Sequence, residues 1–146
     1  MIVFQREPAQ DCFEEAIPLL VEHGRELKYF NDLKLEPEFS KYEQLERTGL
    51  LRTYTARREE VMVGYAVFFF APHLHFKRTI FATCDILYIS PAHRGFGLSF
   101  LRWCVDQLKC DGASVVYFFV NKSFDYGPIL RRLKFDHTDN IYTAKF

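Results

Sequence analysis

Between residues 79 and 120 the spacing of apolar side chains changes period and then changes back, and this constrains the fold more than any other feature. Residues 79–89, TIFATCDILYI, are rich in β-branched and apolar side chains and read as a strand. After Ser90-Pro91 the period lengthens. Leu98, Leu101, Val105 and Leu108 recur at helical spacing, opposite Ser99, Arg102, Asp106 and Lys109. Gly112 ends that helix. Residues 114–120 are again an almost wholly apolar strand, as expected where both faces of a sheet are covered. Strand, helix and strand in this order form a β-α-β unit.

The elements before and after this unit set the fold class. Residues 2–6 read as a short strand. Residues 11–23 are helical, with Phe13, Ala16, Ile17 and Leu20 on one face, and Pro18 is expected to kink or divide that helix. Pro37 suits the first turn of a second helix carrying Phe39, Tyr42 and Leu45 and stopped by Gly49. Residues 50–57 and 61–71 form a hairpin across a tight turn at Arg58, Glu59 and Glu60. A loop follows over residues 72–78, and the chain closes with a helix at 125–134 and a strand at 141–146. The order β-α-α-β-β-β-α-β-α-β predicts an α/β fold of the α+β kind. One domain spans residues 1–146, with a mixed, largely antiparallel sheet of six to seven strands and helices on both faces.

Composition narrows the function classes. Lys plus Arg and Asp plus Glu both number 19, so the net charge is zero, which argues against a nucleic-acid binder held by overall charge. A 49% hydrophobic and 17% aromatic content excludes disorder. The longest nearly apolar run, residues 61–71, falls short of the roughly 20 residues that span a bilayer. Arg6, Glu7 and Asp11 stand where a secretory signal would be apolar, so a cytoplasmic location without membrane contact is expected. Cys12, Cys84, Cys104 and Cys110 lack any two-residue metal or redox spacing and read as small buried hydrophobes. His73 and His75 share a strand-like spacing with no third ligand fixed nearby. No metal site is expected, and a solvated or substrate-lining loop accounts for them.

The chemistry concentrates where the strand becomes a helix. Arg94, Gly95, Phe96, Gly97, Leu98 and Ser99 form a Gly-bearing turn that opens the amphipathic helix. Glycines let a backbone turn tightly and approach a ligand. The first N–H groups of a helix lack internal partners and favour negative charge. Such a turn is either a cradle for phosphate or an ordinary strand-to-helix turn with glycine caps. It is neither a dinucleotide fingerprint, since the third glycine is missing, nor a Walker loop, since Gly-Lys-Ser/Thr is absent.

Arg94-x-x-Gly97-x-Ser99, after a strand ending Leu-Tyr-Ile-x-Pro, resembles the acyl-CoA pyrophosphate motif Arg/Gln-x-x-Gly-x-Gly/Ala of the GNAT acetyltransferase superfamily. Ser99 is a small-residue departure at its last place. Leu130-Arg131-Arg132-Leu133-Lys134-Phe135 resembles the superfamily's Tyr-Glu-Lys-Leu-Gly-Phe signature, and the overall look is similar to small members encoded by bacteriophages. The resemblance implies acetyl-CoA in a wedge between the 79–89 and 114–120 strands. Backbone near Leu87 and Ile89 would hold the pantetheine, N–H groups from Gly95 to Ser99 the pyrophosphate, and Asn121 would lie beside the cofactor. An amine of a small molecule or a protein would then attack the thioester directly. Location would be the host cytoplasm for a phage-encoded member, and a homodimer is an allowed assembly. The alternative is an inactive member of the fold that binds CoA or a protein partner, such as a virion-associated module.

Asp85 is the candidate base, sharing one face with Thr83, Leu87 and Ile89 by strand alternation; its other reading is a structural carboxylate. The place of the signature's Tyr, the usual general acid, is taken by Leu130. Tyr126 lies four residues earlier, on the same helical face, and reads either as a substitute acid or as a packed aromatic. Tyr88 is a further, weaker candidate.

Overall fold

The computed structural model describes residues 1–146. Its elements are β1 (Ile2–Arg6), α1 (Ala9–Glu26), α2 (Phe39–Arg47), β2 (Leu51–Arg58), β3 (Val61–Pro72), β4 (Ile80–Ile89), α3 (Gly97–Cys110), β5 (Ala113–Tyr117) and α4 (Gly127–Arg132). Short 3-10 turns occupy Lys28–Phe30 and Pro91–Phe96. The sheet has five strands in the order β1-β2-β3-β4-β5. The first four pair antiparallel, and β5 pairs parallel to β4.

Helix α3 covers one face. There Phe100, Cys104 and Leu108 close on Tyr54, Ala56, Phe68, Ala82 and Cys84 of the strands. Helices α1 and α2 cover the other face, where Cys12 and Leu20 meet Met62, Tyr65 and Tyr88. Phe13 of α1 stacks on Phe39 of α2 with ring centroids 4.1 Å apart, which joins the two helices.

Three irregularities in pairing decide which residues face which helix. Ala56 pairs Gly64 and Arg57 pairs Met62, so Val63 is an extra residue in β3. Val67 pairs Ile86 and Phe68 pairs Cys84, so Asp85 is an extra residue in β4. Ile80 pairs Ala113 and Phe81 pairs Val115, so Ser114 is an extra residue in β5. Each extra residue reverses the alternation beyond it. Hence Ala82 and Cys84 face α3 before the bulge, while Leu87 and Ile89 face it afterwards. The expected common face for Thr83, Asp85, Leu87 and Ile89 is therefore broken at Asp85.

The other differences from expectation have local causes. Pro18 lies inside α1 without dividing it. Pro37 precedes α2 instead of opening it, and β3 runs on through Pro72. The closing helix is confined to Gly127–Arg132. β5 stops at Tyr117 because the chain beyond it has no ladder partner on β4. Residues 141–146 form no strand, so the sheet has five strands and not six or seven. Lys145 holds that tail instead, donating to Asp32 Oδ1 and the Tyr29 carbonyl at 2.9 Å each. Cys12, Cys84 and Cys104 are buried, whereas Cys110 is exposed at the end of α3. No helix is long and apolar enough to cross a membrane.

One ion cluster anchors the sheet's first half. Arg57 is buried and donates from Nε and Nη2 to Glu7, from Nη1 and Nη2 to Glu15, and from Nη1 to the Glu60 carbonyl. All five guanidinium N–H groups are thereby satisfied. Burial opposes ionisation of Glu7, but the bonds from Arg57 and Thr55 override it and hold the carboxyl below its ordinary 4.5. The folded state thus gains stability from ionised Glu7 above pH 4.5 and loses it as the pH falls through the lowered value. Arg57→Met is expected to cost about 3 kcal/mol at neutral pH, because Glu7 keeps its burial and loses its counter-charge. Urea unfolding of the variant and parent from neutral pH to below 4.5 should show the gap narrowing on acidification.

Three turns hold non-glycine residues in the left-handed region, one of them at Arg78 (φ 65°) before β4. Glu59 (φ 50°) and Glu60 (φ 67°) form the two-residue β2–β3 turn. Lys134 (φ 65°) ends α4, with the Phe135 N–H donating to the Leu130 carbonyl at 3.1 Å. That is a glycine-type helix stop occupied by lysine. Lys134→Gly is expected to stabilise the protein by about 0.5–1 kcal/mol, read as a higher urea midpoint with an unchanged slope.

Candidate active site

The β4–β5 ladder runs only from Ile80–Ala113 to Thr83–Tyr117. Beyond Thr83, β4 continues to Ile89 against β3 alone. A wedge therefore opens between β4 and residues 118–121, with an unpaired β4 edge along it. The bulge at Asp85 lies two residues beyond the last paired position.

Asp85 is solvent-accessible yet flanked closely enough that desolvation raises its carboxyl above the ordinary 3.8. Its side chain makes no hydrogen bond or ion pair within the chain. Its charge reaches Tyr42 of α2, whose hydroxyl is raised first by burial and then by Asp85. Asp85 therefore faces the α1–α2 side of the wedge. A carboxylate with a raised pKa, free lone pairs and access to solvent can accept a proton.

At the other end of β4, the Pro91–Phe96 turn runs directly into α3. No side chain caps the α3 N-terminus. Neither Gly95 nor Gly97 has a positive φ, so the backbone path does not require glycine. Gly95 instead leaves open space: a Cβ built there meets nothing within 4 Å. Gly97 is buried against Ile89 and Ile129. Phe96 and Leu98 are half-buried and Ser99 is exposed. Gly64 is the glycine that sterics demand, since a Cβ there would lie 3.0 Å from the Tyr88 carbonyl oxygen. Its absence lets β3 approach the end of β4.

Arg94 does not project freely. Its Nε donates to the Ile89 carbonyl at 3.1 Å, its Nη2 bonds Glu26 of α1, and its guanidinium lies 4.3 Å from the Phe124 ring centre. It braces the strand end, the turn and α1 together.

A family model for the acetyltransferase (GNAT) family matches residues 17–126. The chain belongs to the acetyltransferase (GNAT) family. Solved structures of similar fold include a ribosomal-protein-alanine N-acetyltransferase from Brucella melitensis biovar Abortus 2308, at 19% identity, covering 100% of this chain and 99% of that one, with a TM-score of 0.74. An aminoglycoside acetyltransferase from an uncultured soil metagenomic sample, in complex with sisomicin, aligns at 18% identity over 99% and 97% of the two chains, with a TM-score of 0.71. Glucosamine-6-phosphate N-acetyltransferase from Arabidopsis thaliana aligns at 11% identity over 100% and 98%, with a TM-score of 0.73. No curated protein matches the sequence.

In this GNAT chain Leu130, at the place of the signature's Tyr, is buried and offers no hydroxyl. Lys134 stands where the signature has Gly, which explains its left-handed backbone. Tyr126 opens α4 and donates to the Phe119 carbonyl at 3.4 Å, its ring edge-on to Phe118. Burial, with a smaller contribution from Cys84, raises its hydroxyl pKa and keeps it protonated. Tyr126 thus lies by Cys84 and Phe118, which belong to the α3 face, while Asp85 faces α2. Asn121 accepts from the Ser123 N–H at 2.8 Å and shapes the loop after β5, leaving its amide NH2 unbonded.

Sequence reading named Tyr88 only as a weaker acid candidate and missed Glu22, His23 and Tyr65, which with it join α1 to the end of β4. Tyr88 donates to Glu22 at 3.0 Å, His23 stacks on Tyr88 at 5.0 Å, and Tyr65 lies 3.4 Å from His23 Nδ1. Burial lowers the His23 pKa, keeping the ring neutral in this stack. Glu22 and Glu26 stand one helical turn apart, the only trace of this contact in the sequence. His73 and His75 lie with Phe76 in the β3–β4 loop, His73 against Phe81 of β4, and no group of three His, Cys, Asp or Glu converges to hold a metal.

Because burial disfavours the Asp85 carboxylate, its contribution to stability is complete below pH 3.8 and is lost as the pH rises through the raised value. Asp85→Asn is therefore expected to be more stable than the parent at about pH 7, with the two converging near pH 3. Urea midpoints at the two pH values check this.

Proposed function

We propose that the protein is an acetyl-CoA-dependent N-acetyltransferase acting on a primary amine. The observation that carries this reading is the wedge with an unpartnered carboxylate at its bulge. The residues present suit the co-substrate: the β4 edge near Leu87, short of the Ile89 carbonyl that Arg94 takes, suits the amides of a pantetheine. The uncapped N-terminus of α3 and the open space over Gly95 suit a pyrophosphate. Arg94 holds that turn in place, and Asn121, after β5, keeps an unbonded amide NH2 as a donor.

Acetyl-CoA supplies an activated acetyl group as its thioester. In the transfer, the N–C bond forms as the C–S bond breaks. Asp85 takes the proton that the amine loses, and the thiolate leaves with a proton for which Tyr126 is the donor in this reading. Positioning across the wedge supplies most of the rate. The raised Asp85 carboxyl suits base work, while Tyr126, across the sheet, keeps its proton at neutral pH but is a weaker donor than an ordinary tyrosine because burial raises its hydroxyl.

Acetyl-CoA at about 100 times its dissociation constant should add roughly 2.7 kcal/mol of stability, read as a thermal shift. No shift in folded protein would overturn the reading. Arg94→Ala should weaken acetyl-CoA binding by loosening the turn. With an accepted amine, Asp85→Asn should lower thiol release by about a hundredfold or more, with acetyl-CoA affinity little changed. Equal turnover would remove Asp85 as the base.

A further inference from the structure

The sheet face that α1 and α2 leave uncovered carries an aromatic strip leading to Asp85. Pairing sets Phe69, Thr83 and Tyr117 in one row across three strands, and the alternation puts all three on the face opposite α3. Phe81 and Phe119 flank this row on the same face. Phe81 lies 5.6 Å from Tyr117, and Tyr117 stacks on Phe119 at 6.4 Å with planes 14° apart. The strip is open: Phe69 is 41% and Phe119 51% exposed. Contiguous apolar surface of this kind marks a binding site more often than idle surface.

Charge selects the occupant. From Asp32 to Glu46 every carboxylate has a partner within the chain: Asp32 pairs Lys145, Glu36 pairs Lys34, Glu38 pairs Lys41, Glu43 pairs Arg47, and Glu46 accepts from the Ala9 N–H and the Thr53 hydroxyl. Asp85, at the end of the strip, has no such partner. One uncompensated negative charge beside several ring faces suits one ammonium on a flat, apolar body. A polycation would need further uncompensated carboxylates.

We propose that the acceptor is a monoamine carrying an aromatic ring, its nitrogen at Asp85 and its ring on Tyr117 and Phe119. This rests on the acetyltransferase reading and narrows it to a substrate class; the chemistry transferred is the same.

The test is thiol release from acetyl-CoA with phenethylamine, hexylamine and spermidine, on the full chain. Phenethylamine should exceed hexylamine in kcat/KM by roughly three- to tenfold, the worth of an aromatic stack, and spermidine should be the poorest. Tyr117→Leu and Phe119→Leu keep apolar bulk and remove the ring, and each should reduce the phenethylamine-to-hexylamine ratio towards one. Preference for hexylamine or spermidine, or a ratio unchanged in both variants, overturns the proposal while leaving the acetyltransferase reading intact. If no amine is turned over, calorimetric titration of phenethylamine decides. Binding weakened at least threefold by Tyr117→Leu supports the strip as its site, and the acetyltransferase reading is then decided separately by the acetyl-CoA thermal shift. No binding, or equal binding to the variant, overturns the strip.

Discussion

The end of the β4–β5 ladder at Thr83–Tyr117 is the constraint on which the functional architecture depends. A parallel pair continued to Ile89 would use the backbone groups of both strands on each other. Stopping it leaves one edge of β4 without a strand partner over its last six residues, of which the Ile89 carbonyl is taken by Arg94. Buried backbone polar groups require partners, so such an edge persists where water or a ligand can reach it. The bulge at Asp85 falls just past this point. It turns a charged residue out of a strand whose neighbours Cys84 and Tyr88 are buried.

Side-chain ties then make the opened edge rigid. Arg94 takes the Ile89 carbonyl and the Glu26 carboxylate, so the motif turn is locked to both β4 and α1. Tyr88, Glu22, His23 and Tyr65 repeat that tie one turn back along the helix. At the other end of α1, Glu46 of α2 accepts from the Ala9 N–H and the Thr53 hydroxyl at 2.8 and 2.7 Å, capping a helix that begins with Pro8. Arg57 joins α1 to the hairpin through Glu15 and Glu7. Helix α1 is thus held along its length by charged bonds.

Several parts of this arrangement were legible in the chain. The period change at Ser90-Pro91 located the joint between β4 and α3, and the Arg94-x-x-Gly97 spacing marked the turn between them. The hairpin at Glu59-Glu60 followed from two apolar runs around a polar pair. The errors have two causes. Period-two reasoning assigns faces by counting, and one inserted residue at Asp85 or Val63 reverses every assignment beyond it. The final strand failed for a different reason: a strand needs an edge to pair with, and Lys145 ties residues 141–146 to Asp32 and Tyr29 instead.

The sequence by itself determined the element types, the position of the motif turn and the family resemblance, because these rest on local propensity and spacing. Only the tertiary structure decided that Arg94 is a brace, that Asp85 is the bulged and unpartnered residue, and that Leu130 is buried with Tyr126 set beside the wedge. Each of these depends on which distant group supplies a partner: Glu26 lies 68 residues from Arg94 along the chain. No local pattern encodes such a pairing. Packing of the two faces of the sheet brings the groups together, and the need to satisfy buried charge and backbone then selects the contacts that remain.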